Sequence, residues 1–311
     1  MRIAIVIVNY AGCDVTLKCY NSVSDEARKK HTVDFFVINN FFSTTDENSL
    51  KLKFSDKAAT LILLPENIGY FPALNVGLAK IRSDGSRYDY IIIGNNDLLF
   101  SNSFFNRLGD RKYNSDVVVV APRIVTLTGV NQNPHIKDGI SRFREIFYDI
   151  YYSNFYLALL VSVFVRLVGG VASRSDQLSA SESCYIRTGF GACYLLTPRF
   201  FEIFDGLWAP TFLMGEELML GRQLFAYGRR VFFDCELSVC HVDNQTIGKV
   251  PKRHTWGYAK QSHRVYREFI SPYRRLMESP VDSEWGRRCS GKPDIEVAVD
   301  FLRSARILDR G

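Results

Sequence analysis

The sequence predicts an α/β protein built on a mainly parallel sheet. Three observations carry that prediction. The apolar runs of the first half are continuous rather than alternating, as strands covered on both faces require. Amphipathic stretches of helix length separate them. Polar residues, Asn9, Asn39, Asn67 and Asp97, stand at or just beyond the ends of these runs, where open α/β sheets bind their ligands.

The elements follow in order. Residues 3–8 are a β-branched run, and residues 14–24 read as a helix with Leu17, Tyr20 and Val23 on one side. Strands are expected over 33–38 and 59–64, a helix over 71–81, and a strand over 90–93 that runs into Asn95-Asn96-Asp97. A short helix starts at Phe104, and residues 117–120 form a strand. Between Arg142 and Ser173 the texture changes. Phe143, Ile146, Phe147, Ile150, Tyr151 and Phe155 make a helical apolar stripe, followed by an uncharged run up to Arg166. That run is about half of what a transmembrane helix needs, so an interfacial helix, a core helix or a lid is expected rather than a span. Further on, residues 189–196 read as a strand, 198–204 as the start of a helix, 218–227 as a helix stopped by Gly228, and 230–235 and 237–241 as two strands. No sheet element is expected beyond Asn244. The boundaries drawn are 1–265 for one domain and 266–311 for a basic C-terminal extension. Within the domain, 1–125 is a nucleotide-binding half, 140–175 a helical apolar insertion and 183–248 a catalytic, acceptor-binding half.

Composition places few limits on this picture. With 311 residues, 47% hydrophobic and 23% charged, the chain can bury a full core. Ten of its 39 basic residues fall within 249–288, which suits anionic headgroups or a phosphorylated substrate. No nucleic-acid motif accompanies that charge, so no nucleic-acid partner is expected. The seven cysteines lack C-x-x-C spacing and read as reduced thiols of a cytoplasmic protein. The first residues show no signal-peptide pattern.

Asp97 and His241 are candidate ligands for a divalent metal, and Glu217, in Gly215-Glu216-Glu217, is a candidate general base. Four groups of residues then line up in a familiar order. They are Ile7-Val8-Asn9-Tyr10; Val37-Ile38-Asn39-Asn40 with Ser43-Thr44-Thr45-Asp46; Asn67-Ile68-Gly69-Tyr70 with Ala73, Asn75 and Gly77; and Asn95-Asn96-Asp97. Gly191-Ala192, Gly215-Glu216-Glu217-Leu218 with Arg222, Gly228 and Val239-Cys240-His241 complete the set. In this order the chain resembles glycosyltransferase family 2, whose members have the GT-A fold, over residues 2–265. It is most similar to members that build bacterial surface polysaccharides such as O-antigen, the rhamnosyltransferase-like and galactosyltransferase-like branches included.

The resemblance implies an inverting transferase that uses a nucleoside diphosphate sugar and Mn²⁺ or Mg²⁺. Val8, Asn9, Tyr10 and Asn39 would meet the base, with Asn39 standing where the family usually has Asp. Asn67, Gly69 and Asn75 would close over the ribose. Asn95, Asn96 and Asp97 correspond to the Asp-x-Asp motif, with Asp97 on the metal and Asn95 on ribose or a metal-bound water. Glu217 takes the place of the catalytic base, and Glu216 would orient a neighbour, although the two acids could exchange roles. Arg222 would pair with the acids or the diphosphate, and His241 would be the late metal or phosphate ligand. The acceptor implied is a glycan, on a lipid carrier given the apolar insertion and the basic tail. The protein would then sit at the inner face of the cytoplasmic membrane. A nucleotidyltransferase is the rival enzyme, but residues 7–12 lack its glycine-rich basic loop. A sugar-binding protein with a decayed site is the non-enzymatic rival, favoured by Asn39 and Asn95.

Overall fold

A computed structural model describes residues 1–136, 140–167, 181–242, 252–271 and 290–310. The parts of the insertion, the tail and the cysteine set that fall elsewhere, Gly169-Gly170, Arg274, Arg275, Arg287, Arg288 and Cys289 among them, lie outside the described residues.

The centre of the molecule is the parallel array β3 (Ala59–Leu63), β2 (Thr32–Asn39), β1 (Arg2–Asn9) and β4 (Tyr90–Asn95). Its continuous apolar runs serve two cores. Ala4, Val6 and Val8 face the layer of α4 (Tyr70–Ser83), while Ile3, Ile5 and Ile7 face that of α1 (Cys13–Ser22). Close approach of α4 to the sheet depends on Gly77, where an added Cβ would lie 2.5 Å from Val6. Helices α2 (Asp25–Lys30) and α3 (Thr44–Lys53) complete this half. Ser43 caps α3 by accepting from the Asp46 amide.

Beyond β4 the sheet turns mixed. β8 (Cys193–Leu196) runs antiparallel to both β4 and β6 (Val119–Thr126). β9 (Val231–His241) is parallel to β6 and receives the short β5 (Leu98–Leu99) and β7 (Cys184–Ile186) as antiparallel partners. Two strands were expected over 230–241. They are one, with a register shift opposite Pro122/Arg123. Only the second half of the expected 189–196 strand is a strand.

The C-terminal piece corrects the expected extension. After α5 (Asn102–Asp110), α6 (Arg142–Ser153), α7 (Phe155–Leu167), α8 (Phe200–Ile203), α9 (Glu216–Ala226) and α10 (Arg253–Val265), the chain ends in α11 (Lys292–Ser304) and β10 (Arg306–Arg310). α11 packs on α4 through buried Ile295 and Ala298, and β10 pairs antiparallel with β3. This covers the sheet edge that β3 would otherwise leave open. An edge strand reading Arg-Ile-Leu-Asp-Arg has no continuous apolar run, so periodicity did not reveal it.

Candidate active site

The chain order reverses at β1, with β2 on one side and β4 on the other, so the carboxyl ends of these strands flank a crevice. Asn9 lies beside Asn39 in register. Asn9 Nδ2 donates to Asn39 Oδ1 (2.9 Å) and to Asp46 Oδ2 (3.2 Å), and its Oδ1 accepts from Thr16 Oγ1 (2.8 Å). Thr16 also accepts from Asn96 Nδ2 at 2.8 Å. Asn9 and Asn96 therefore brace the strand ends. The direction of these bonds leaves Asn39 with its Nδ2 as the unfilled group, buried and without a hydrogen-bond partner. An unsatisfied buried donor costs about 1–3 kcal/mol, a cost that an acceptor on a bound ligand would remove. Tyr10 and Phe42, 51% and 52% exposed, stand edge to face at 5.2 Å beside these ends.

Asn40, Asn67 and Gly69 shape the next loop. Asn40 donates to Gly69 O and accepts from Ile68 N, both at 2.9 Å, and Asn67 Oδ1 accepts from Gly69 N at 3.1 Å. Gly69 has φ +97, and an added Cβ would sit 2.2 Å from Phe212 O. The close approach that glycine permits here is to the chain at 212, not to a ligand. Asn75 is a second correction. It is fully buried and gives both ends of its amide to the Leu207 backbone, at 2.8 Å each. Helical position alone could not tell a ribose ligand from a core amide. Arg222 is also buried, with its guanidinium 5.8 Å from the Phe225 ring. It does not line the cavity described below.

Asp97 and His241 meet because β5 pairs with the end of β9, Leu98 opposite His241. Asp97 Oδ1 lies 3.0 Å from His241 Nε2 and has no hydrogen-bond partner. Asn95 Nδ2 is 3.4 Å from the same ring nitrogen, and Gln132 Oε1 is 2.8 Å from Nδ1. Two ligands in adjacent octahedral positions at about 2.1 Å from a metal lie about 3 Å apart, so the observed spacing fits a shared divalent cation. Among the described residues no three His, Cys, Asp or Glu converge. The pair thus leaves most of a coordination shell to oxygens from elsewhere.

The acid pair opens α9 after two left-handed residues, Met214 (φ +75) and Gly215 (φ +79). Glu216 folds back to accept from Met214 N at 2.8 Å. It is buried, and burial first, then the charge of Glu217, pushes it up to about 7. Glu217 points the other way. Its Oε1 is 3.9 Å from His135 Nε2, and it faces Gly191. Both acids, with Tyr70, Asn95 and His135, line one cavity of about 620 Å³. Tyr148, Tyr152, His263 and Tyr266 from α6, α10 and the π-helical turn Tyr266–Ile270 form its other wall.

Gln132, His135, Tyr148 and His263 were not among the expected site residues. Gln132-Asn133-Pro134-His135 reads as an ordinary polar turn, and the wall formed by α6 and α10 comes from segments about 110 residues apart. No local pattern marks either.

No family model matches the chain, and no curated protein matches it. Solved structures do. One is a mannosyltransferase from Pyrobaculum calidifontis in complex with GDP-Man and Mn²⁺, 13% identical, with a TM-score of 0.51 over 97% of this chain and 74% of that one. Another is GalNAc-T7 with UDP, GalNAc and Mn²⁺, 12% identical, with a TM-score of 0.54 over 95% of this chain and 55% of that one. The chain has the GT-A fold of these glycosyltransferases.

Proposed function

We propose that this protein is an inverting, metal-dependent glycosyltransferase of surface-polysaccharide synthesis. It would move a sugar from a nucleoside diphosphate donor to a glycan on a lipid carrier at the cytoplasmic membrane face. The observation that carries the reading is the placement of Glu217 on the cavity that Asn95 joins to the Asp97–His241 pair. The neighbours solved with GDP-Man or UDP and Mn²⁺ support the donor class and the metal.

Asp97 and His241 would hold Mn²⁺ or Mg²⁺, which when bound neutralises charge on the leaving diphosphate. Asn39 offers its unfilled amide donor to the base, with Tyr10 and Phe42 beside it. Glu217 accepts the proton of the acceptor hydroxyl as that oxygen attacks the anomeric carbon. Glu216, turned into the protein and holding its proton up to about pH 7, props the Met214–Gly215 turn that aims Glu217. Tyr148, Tyr152 and Tyr266 offer ring surfaces of the kind sugars stack on.

Two features support a lipid-linked acceptor and a membrane surface. Lys260, Arg264 and Arg267, with Asp149 and Glu268 beside them, line a groove that shares Tyr152 and His263 with the cavity, and Asp149 pairs with Arg267. The apolar face of α6 and α7 beside it is exposed, with Phe143 at 82% and Leu160 at 68%. Among the described residues no helix is long and apolar enough to cross a membrane, so attachment would be peripheral.

The test is a panel of UDP-, GDP-, CDP- and dTDP-sugars with and without Mn²⁺, on wild type, Asp97→Ala, Glu216→Gln and Glu217→Gln. Asp97→Ala should lose metal-dependent nucleotide binding. Glu217→Gln should bind donor yet lose transfer by about 10²–10⁴-fold, and Glu216→Gln should lose less. The reverse ranking moves the base to Glu216. A wild type that binds no nucleotide in a metal-dependent way overturns the reading.

A further inference from the structure

The two ring nitrogens of His241 have different neighbours. Nε2 faces Asp97 Oδ1 at 3.0 Å, and Nδ1 faces Gln132 Oε1 at 2.8 Å. Gln132 reaches that point on a braced piece of chain. After β6 the backbone turns at Gly129 (φ +80) and runs back along its own strand, where Gln132 N donates to Ile124 O at 2.8 Å. The next residue, Asn133, is fully buried. Its Nδ2 donates to Pro122 O (2.8 Å), and its Oδ1 accepts from Phe190 N (2.6 Å). Thr126 of β6 lies beside His241 of β9 in register, so the returning chain delivers the amide from the neighbouring strand.

An acceptor at Nδ1 keeps the proton there and leaves the Nε2 lone pair bare, the tautomer that a metal ligand needs. We infer that Gln132 is a positioning residue that sets the tautomer and ring orientation of His241, so that Nε2 is held ready for the cation shared with Asp97. The inference rests on the metal-dependent reading above. A neutral amide suits this place. It orients the ring without adding a second negative charge to a site that already holds Asp97 and would receive a diphosphate.

Mn²⁺ binding, followed by loss of the free-ion EPR signal with UDP and separately with GDP, tests the role on wild type, Gln132→Leu and Gln132→Glu. Leucine removes the acceptor at similar volume and should weaken Mn²⁺ binding by about 10–100-fold. Glutamate keeps an acceptor at the cost of an added charge, and should recover most of the affinity that leucine loses. Melting temperatures without metal are read on the same samples. Unchanged Mn²⁺ affinity in a folded Gln132→Leu, or equal loss in both variants, overturns the inference while leaving the metal site standing. Should Gln132→Leu fail to fold, Gln132→Met, which keeps the side-chain length without the amide oxygen, decides. A loss of about 10–100-fold in Mn²⁺ affinity supports the role, and unchanged affinity overturns it. A wild type that binds no Mn²⁺ with either nucleotide overturns the metal-dependent reading itself, and this inference with it.

Discussion

Helices α4 and α6 both carry apolar residues at helical spacing, and they bury opposite kinds of face. In α4 the apolar residues go inward. Phe71, Leu74, Val76, Leu78 and Ile81 are all buried between the sheet and α11. In α6 the apolar stripe goes outward. Phe143, Ile146, Phe147 and Ile150 are exposed, while Glu145 is buried. Tyr266, Arg267 and Ser271 all donate to the Glu145 carboxylate. The same periodicity thus serves a core in one helix and an open surface in the other. What differs is what stands opposite. α4 has a sheet to cover, whereas α6 meets α10 and the following turn through polar and aromatic side chains.

This contrast can be broken in four ways. The largest effect is expected from Leu78→Ala in α4, which empties a fully buried site and should cost about 3–5 kcal/mol in urea unfolding. A cost near zero would remove α4 from the core. Next is Glu145→Ala on the inward face of α6. It strips Tyr266 and Arg267 of their shared acceptor and should cost about 3 kcal/mol, the low end for a broken buried pair because Arg267 is 39% exposed. A neutral result would show that polar contacts do not hold α6 in place.

Glu216 is another of the buried acids, and it faces a carboxylate rather than an arginine. Burial and Glu217 hold it near 7 against an ordinary 4.5. Between those values the folded chain keeps a proton that the unfolded chain has released. Its stabilising contribution is therefore full below about pH 4.5 and falls as pH rises toward 7. Glu216→Gln should flatten that fall by an amount on the order of 2 kcal/mol, read from unfolding midpoints at pH 5 and 7.5. A variant profile parallel to wild type would assign the fall to other groups. Smallest in stability is Leu160→Ser with Phe164→Ser on the outward face of α7. The change should stay within about 0.5 kcal/mol, yet binding to anionic vesicles should drop. A large fall in melting temperature would place these side chains in a core instead.

The order of apolar runs along the chain determined the parallel centre of the sheet. The polar residues closing those runs marked the carboxyl ends that flank the crevice. Burial on both faces and strand termination are local demands, written in consecutive residues. Asp97, Glu216, Glu217 and His241 were legible for the same reason, since each sits at the end of a run or at a helix start. Tertiary structure alone decided the rest. It gave the adjacent acids different partners on one cavity, Glu216 the Met214 amide and Glu217 the His135 ring. It took Asn75 from a ligand role into the core. It brought Gln132 and His135 from an unremarkable turn to His241 and Glu217, and it placed β10 against the β3 edge. A helical stripe records a period but not its partner, and a polar turn records a bend but not what it bends toward. Both depend on pairings between residues far apart in the chain, which no short window contains.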